Sequence, residues 1–316
     1  MSRIIFMGTP EFAVPVLDAL TRTNHSIVGV FTRLDKPAGR GGKLAPSPVK
    51  QLAASRALPF FQPKTLKSAE EIERLRDLRP DLIIVSAYGL ILPRDVLAIP
   101  PRGCINTHAS LLPRHRGASP ISAAILAGDA ETGITLMQMD EGIDTGPILA
   151  QRALPIERDD TTGSLTTQLA NLAAELLIEH LPRILAGNLA PQTQDEARAT
   201  YAKMIEKEQG LIDWTGAAEE IARRVRAFNP WPSAYTFWNG TQLRILRAEP
   251  RLIPESPLHE AGQVIERGKN ITVVCGKDAL LLHEIQMAGK RAMKIEEFVR
   301  GQRGFVSSKL GKQRES

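Results

Sequence analysis

With 316 residues, 43% of them hydrophobic and 24% charged, the chain has an ordinary globular composition and exceeds the roughly 100–200 residues of one typical domain. No apolar run approaches the ~20 residues of a membrane helix, and the apolar stretch after Met1 is too short for a cleavable signal, which argues against a membrane protein and for a cytoplasmic one. Cys104 and Cys275 lie far apart in apolar stretches, a pattern that fits two buried thiols better than a disulfide framework or a zinc site. The formal charge of +5 is uneven, with 20 Lys+Arg against 19 Asp+Glu (+1) in residues 1–189 and 20 against 16 (+4) in residues 190–316. A basic last third suits a polyanionic partner.

In chain order, Arg3–Met7 reads as a buried strand. Gly8-Thr9-Pro10 turns the chain into a helix reaching Leu20. Pro15 requires that helix to start near Ala13 or Val14, where its ring falls in the first turn. Ile27–Phe31 is a second strand. Residues 32–48, rich in Gly, Pro and basic side chains and without a period, read as a mobile loop. Asp81–Ala87 is almost wholly apolar and therefore a central strand. Gly103–Thr107, Ile134–Met139 and Ile148–Leu154 follow as strands, with a helix over Ser119–Ala127 and a long helical pattern from Ser164 to Leu185. This alternation predicts an α/β domain built on a parallel sheet. Gly8-Thr9-Pro10 stands where a dinucleotide fingerprint would, but lacks the Gly-x-Gly-x-x-Gly spacing, so no nicotinamide or flavin cofactor is expected.

Residues 187–200 are polar and aperiodic and read as a linker. A helix over Ala217–Ala227 stops at Phe228-Asn229-Pro230-Trp231-Pro232, and short strands follow at Ala234–Trp238, Gln242–Leu246, Gly262–Glu266, Ile271–Cys275 and Ala279–Ile285. Asn239-Gly240 is a type I′ hairpin signal. So many short strands predict a small β-barrel of the oligonucleotide-binding kind. Trp214, Trp231 and Trp238 are expected to pack the domain junction and barrel rather than to stack on RNA bases, and the tail Gly311–Ser316 is expected to be disordered.

The chemistry concentrates around Asn106 and His108. Two apart on a strand, they share a face, at the carboxyl end where open α/β sheets place ligands. The Gly-punctuated run Met139–Gly146 carries Asp144 and can fold back towards them. Acyl transfer to an amine needs these residue types. Asn106 can donate to an oxyanion, His108 can shuttle a proton near neutrality, and Asp144 can orient the imidazole or relay a proton. No nucleophilic Ser or Cys is needed, because the amine attacks. On residues alone a second possibility stays open: His108 a satisfied core histidine, Asn106 a turn cap and Asp144 part of an Asx-turn. His115 with His108 and Asp144 matches no usual metal-ligand spacing, so no metal is expected.

Asn106-x-His108-x-Ser110-Leu111-Leu112-Pro113 followed by Gly142-x-Asp144-x-Gly146 resembles the signature of the formyltransferases that use 10-formyltetrahydrofolate. Ile5–Phe12, Lys36–Gly41, Ser86–Pro93 and Phe228–Pro232 extend the likeness to the branch acting on methionyl-tRNA, over residues 3–305. The resemblance implies a Rossmann-like parallel-sheet catalytic domain (1–189), a linker (190–205) and an OB-like β-barrel tRNA-binding domain (206–316). It implies catalytic Asn106, His108 and Asp144, and folate contacts at Ser110, Leu111, Leu112 and Pro113. The pterin would lie against backbone near Tyr88–Leu92 and Met139–Ile143. It further implies 10-formyltetrahydrofolate as formyl donor, initiator methionyl-tRNA as acceptor, no metal, and a monomer. The basic run holding Arg33, Lys36, Arg40, Lys43 and Lys50 against the single acid Asp35 then looks like the insertion that meets the acceptor end. Arg40 and Lys43 are its expected RNA contacts, because Gly39, Gly41 and Gly42 let backbone approach closely. A formyltransferase or formyl-folate hydrolase acting on a nucleotide, a sugar amine or water could share the trio without needing this basic loop.

Overall fold

A computed structural model of the chain describes residues 1–38, 43–253 and 260–311. These form two compact units, one of Met1–Pro120, Glu131–Pro155 and Thr166–Lys203, the other of Ile121–Ala130, Ile156–Leu165 and Met204–Ser316.

The first unit opens with β1 (Arg3–Gly8), α1 (Val14–Thr21) and β2 (Ser26–Phe31). Pro15 falls in the first turn of α1, as its missing N–H demands. Residues expected to form a mobile loop instead contain a hairpin, β3 (Lys36–Ala38) pairing antiparallel with β4 (Lys43–Ala45). The hairpin base is pinned: Asp35 takes an ion pair from Lys50 Nζ at 2.7 Å and a hydrogen bond from Gln62 Nε2 at 2.8 Å. These two partners hold the Asp35 carboxyl below the usual carboxylate range, the Lys50 bond contributing most. Aperiodic sequence hid the hairpin because its pairing is too short to show alternation.

Next in chain order come α2 (Pro48–Ser55), β5 (Phe60–Phe61), α3 (Ala69–Asp77), β6 (Leu82–Ser86), α4 (Arg94–Leu97), β7 (Cys104–His108), β8 (Arg116–Gly117) and α5 (Pro120–Ala127), the last belonging from Ile121 on to the second unit. β9 (Glu131–Gln138), β10 (Ile148–Pro155), α6 (Thr162–Ala186) and β11 (Tyr201–Ala202) complete the series. The seven-stranded sheet has the order β10-β9-β7-β6-β1-β2-β5. β6 lies at its centre with all five residues buried, as an uninterrupted apolar run requires. Pairings from β7 to β5 are parallel, whereas β9 is antiparallel to both β7 and β10. The expected parallel sheet is thus found, with an antiparallel edge at β9 and β10. The run 139–147 between β9 and β10 is too short for a parallel crossover, which takes about a dozen residues or more.

In the second unit, α7 (Ala218–Ala227) precedes β12 (Ala234–Trp238), β13 (Thr241–Arg251), β14 (Val264–Arg267), β15 (Asn270–Val274), β16 (Ala279–Met287), β17 (Met293–Lys294) and α8 (Ile295–Gly301). Their order is β12-β13-β16-β15-β14, antiparallel throughout, with β17 added on β16. Asn239 and Gly240 take φ of 48° and 75°, the positive pair a type I′ turn needs. The sheet closes on itself because Gly311 pairs with Phe237 at one edge while Lys309 pairs with Gln263 at the other. Gly311 is therefore paired rather than part of a loose tail, and the rest of the expected tail, 312–316, lies outside the described residues.

Inside the barrel, Trp238 meets Phe298 and Phe305 edge-on at 5.6 and 5.4 Å. Trp214 is buried with its Nε1 donating to Thr236 Oγ1 at 3.0 Å, while Trp231 is exposed. Two of the three tryptophans are thus core. The early segments of this unit are hydrogen-bonded to its later ones: Thr162 Oγ1 donates to the Ala227 carbonyl at 2.6 Å and the Gly163 N–H to that of Asn229 at 3.0 Å. Among the described residues no helix is long and apolar enough to cross a membrane.

Both cysteines are buried free thiols, and burial pushes each up to about 12. In the native state they should resist a thiolate-seeking reagent and react only on unfolding, which a thiol titration with and without denaturant will read. Ile83, fully buried in the helix-packed core beside β6, should cost about 2–5 kcal/mol when changed to Ala, measured by urea unfolding.

Candidate active site

Strand alternation sets Asn106 and His108 on one face of β7, with Thr107 turned to the other, where its Oγ1 donates to Ser86 Oγ at 2.8 Å. His108 is buried and Asn106 half-buried, so the amide is the more open of the two. His108 Nε2 lies 3.0 Å from the carbonyl of His115. A carbonyl can only accept, so Nε2 carries the hydrogen and Nδ1 is turned to the other side of the ring.

That other side holds Asp144. Its Oδ2 is 3.5 Å from His108 Nδ1 and accepts the Gly117 N–H at 2.8 Å. Its Oδ1 accepts from Asn106 Nδ2 at 3.3 Å. One carboxylate therefore joins all three residues singled out in the sequence. Reaching this position requires a tight return of the run 139–147. Asp144 sits at φ 54°, and Gly146 lies so close to β9 that an added Cβ would be 1.8 Å from the Gln138 carbonyl. Asp140 closes the loop from within, taking the Gly142 N–H at 3.0 Å and Thr145 Oγ1 at 2.7 Å.

The segment expected to be a bare linker contributes a second set of bonds that no motif announced. Gln192 forms a two-way main-chain bridge with Ile148 at 2.8 Å. Gln194 is buried, and its Nε2 donates to the carbonyls of Asp144 at 2.8 Å and Gly146 at 2.6 Å. Its Oε1 accepts from Arg116 Nε at 3.1 Å and Nη2 at 2.8 Å. Arg116 is fully buried, and Glu196 neutralises it through bonds of 2.9 and 2.7 Å. This pairing holds the Glu196 carboxyl below its usual range. Thr200 accepts the His115 N–H on Oγ1 at 2.8 Å and the Arg116 N–H on its carbonyl at 2.8 Å. The only sequence signal was polarity, which a solvated tether would share.

Of the residues assigned to folate, Ser110 is fully buried with Oγ donating to the Arg114 carbonyl at 2.6 Å. Leu112 packs with Met137 and Ile148, its N–H donates to Thr135 Oγ1 at 3.1 Å, and Leu112-Pro113 is cis. Leu111 and Pro113 are half-buried. A cleft of about 490 Å³ is lined by Arg94, Leu97, Ala98 and the run Met139, Asp140, Glu141, Gly142. Exposed Ile91 and Ile143 belong to the two loops named for the pterin. Lys43 lies in β4 opposite Ala38, and Arg40 lies outside the described residues. Among the described residues no cluster of His, Cys, Asp or Glu is placed to hold a metal ion.

The formyl transferase family profile matches residues 2–181, and the formyl transferase C-terminal domain profile matches 204–303. The chain is 53% identical over 297 residues to methionyl-tRNA formyltransferase of Methylococcus capsulatus, covering 94% of this chain and 96% of that one. It is 47% identical to methionyl-tRNA formyltransferase of Magnetococcus marinus, covering 98% of each. Among solved structures it shares its fold with HypX from Aquifex aeolicus in complex with tetrahydrofolic acid, at a TM-score of 0.64 and 17% identity over 97% of this chain and 48% of HypX. The chain belongs to the formyltransferase family, in the branch of the methionyl-tRNA formyltransferases.

Proposed function

We propose that this protein moves a formyl group from 10-formyltetrahydrofolate to the free amino group of methionine esterified to initiator tRNA, giving N-formylmethionyl-tRNA for translation initiation. The observation that carries this reading is the convergence of Asn106 and His108 on the Asp144 carboxylate, in a chain 53% identical to a methionyl-tRNA formyltransferase. Residues 1–189 act as the catalytic domain, 190–205 as the linker and 206–316 as the tRNA-binding domain. The breaks between the family profiles near residues 181 and 204 support this division. The protein works as a cytoplasmic monomer.

The reaction forms a bond between the amine nitrogen and the formyl carbon and breaks the bond from that carbon to the folate nitrogen. The attacking nitrogen sheds one proton and the leaving nitrogen gains one. Asn106 Nδ2 carries two hydrogens, one directed at Asp144 and the second available to the developing oxyanion. Asp144 takes the proton of the attacking amine, directly or through water, and His108 Nδ1 lies beside Oδ2 to share it. The Nε2 bond to the His115 carbonyl keeps the imidazole oriented for that exchange. The folate donor supplies the formyl group when bound. The cleft beside Met139–Gly142 offers apolar walls at Leu97, Ala98 and Met139, and polar groups at Arg94, Asp140 and Glu141. That mixture suits a flat heterocycle with amino and carbonyl edges. Ser110 and Leu112 contribute by shaping the turn, while Leu111 and Pro113 are the more accessible of the four folate contacts. Arg40 and Lys43 meet the acceptor end of the tRNA, with the basic C-terminal region adding phosphate contacts.

Purified protein supplied with the folate donor and charged initiator tRNA should formylate the methionine, and mass analysis showing unmodified methionine would overturn the proposal. Asp144→Ala and His108→Ala should each lower kcat by about 10²–10⁴, and Asn106→Ala by about 10²–10³, with native circular dichroism retained. Near-normal turnover in these variants would remove the roles given to them. Finally, KM for the tRNA should climb with salt. Arg40→Ala should reduce the log–log slope by about one and leave KM for the folate donor unchanged.

A further inference from the structure

We infer that Gln194, backed by Arg116, is the positioning residue that sets the reactive geometry of Asp144. The inference rests on the catalytic role proposed for Asp144 and assigns a task to a segment that otherwise reads as a tether. Asp144 adopts a left-handed backbone conformation, φ 54°. An aspartate tolerates this conformation but does not enforce it. Its carboxylate bonds fix the side chain, yet they say nothing of what holds the peptide that carries it.

Gln194 Nε2 answers that need by donating both its hydrogens to the carbonyls of Asp144 and Gly146, at 2.8 and 2.6 Å, and so clamps the peptide that follows Asp144 and the one that follows Gly146. The amide can face those carbonyls in one orientation only, because its Oε1 is claimed by the Arg116 guanidinium at 3.1 and 2.8 Å. An amide flip would set its oxygen against two carbonyl oxygens and its NH₂ against a cation. Arg116 is itself fully buried and immobilised by Glu196. Its own residue neighbour, Gly117, gives the N–H that binds Asp144 Oδ2. Carboxylate and backbone of Asp144 are therefore both referenced to the two-residue strand Arg116–Gly117. That strand is held in turn by Tyr201–Ala202 in parallel pairing. The same segment steadies His108, since Thr200 binds the N–H of His115, whose carbonyl receives His108 Nε2. Residues 194–202 thus strap both Asp144 and His108 into register.

The decisive variant is Gln194→Glu, which keeps size and the acceptor for Arg116 but replaces the donor with an oxygen facing two carbonyls. Misplacement on the ångström scale typically costs on the order of 10² in rate, so kcat should fall by about that factor while KM for tRNA and for the folate donor stays within about threefold. Gln194→Met, filling the same space without polar atoms, should give the same loss should the Glu variant not fold. Gln192→Ala is the control in the same segment, its side chain exposed and its bonds to Ile148 made by main chain. It should match wild type. In single-turnover assays on an Asp144→Ala background, the Gln194 change should cost nothing further. Hydrogen exchange at residues 144–146 should quicken in the Gln194 variants and not in Gln192→Ala, with no substrate present.

Unchanged kcat, a loss confined to KM, an additive loss without Asp144, or unaltered exchange would each overturn the inference. A wild-type protein that fails to formylate would instead count against the proposed function, and the exchange measurement would still decide the clamp.

Discussion

A carboxylate held against the carboxyl end of an apolar strand is stable only if donors converge on it, and the loops at that end of the first unit bring them to Asp144. Its two oxygens accept from Asn106 on β7 and from the Gly117 N–H on β8, with His108 Nδ1 3.5 Å from Oδ2 across the ring edge. The first and third stand two residues apart on β7, and the second comes from β8. Meeting them fixes the fold-back of the run 139–147, the loop between His108 and Arg116, and the seat of the segment after α6. Charge is managed in two layers: the reactive carboxylate is only slightly exposed, while the buried Arg116 is balanced by Glu196 at the surface. A buried guanidinium left without such a partner would be strongly destabilising.

The sequence made the sheet legible wherever apolar runs were long. β6, with five buried residues, and the α6 pattern were visible because burial on both faces or along a stripe leaves a strong signal. Asn106 and His108 were legible through strand spacing, and Asp144 through its glycine-flanked loop. Gln194 and Arg116 were not. A glutamine in a polar stretch has no periodicity to betray burial, and its partners lie 48 to 78 residues away in sequence. The antiparallel turn of β9 was hidden for a related reason, since strand direction depends on connection geometry rather than on side-chain pattern. The hairpin at Lys36–Ala45 was masked by its brevity.

Aromatic residues divide the second unit in a way composition alone could not reveal. Trp214 and Trp238 belong to a core in which rings meet edge-on, and the Trp214 N–H is satisfied inside the barrel by Thr236. They hold the closed sheet together from within. Trp231, exposed in the Phe228–Pro232 turn, is the exception and the only tryptophan of the three with a face free for other contacts.

The barrel unit is not one continuous stretch of chain. It draws in Ile121–Ala130 and Ile156–Leu165, and the carbonyls of Ala227 and Asn229 find their donors in Thr162 and Gly163. A recombination event that cuts near residue 204, where the C-terminal family profile begins, would separate those acceptors from their donors. The C-terminal region is therefore a poor currency for domain shuffling. Both halves should be inherited together, and chimaeras exchanging only the barrel between distant relatives would have to rebuild this seam before they could fold well.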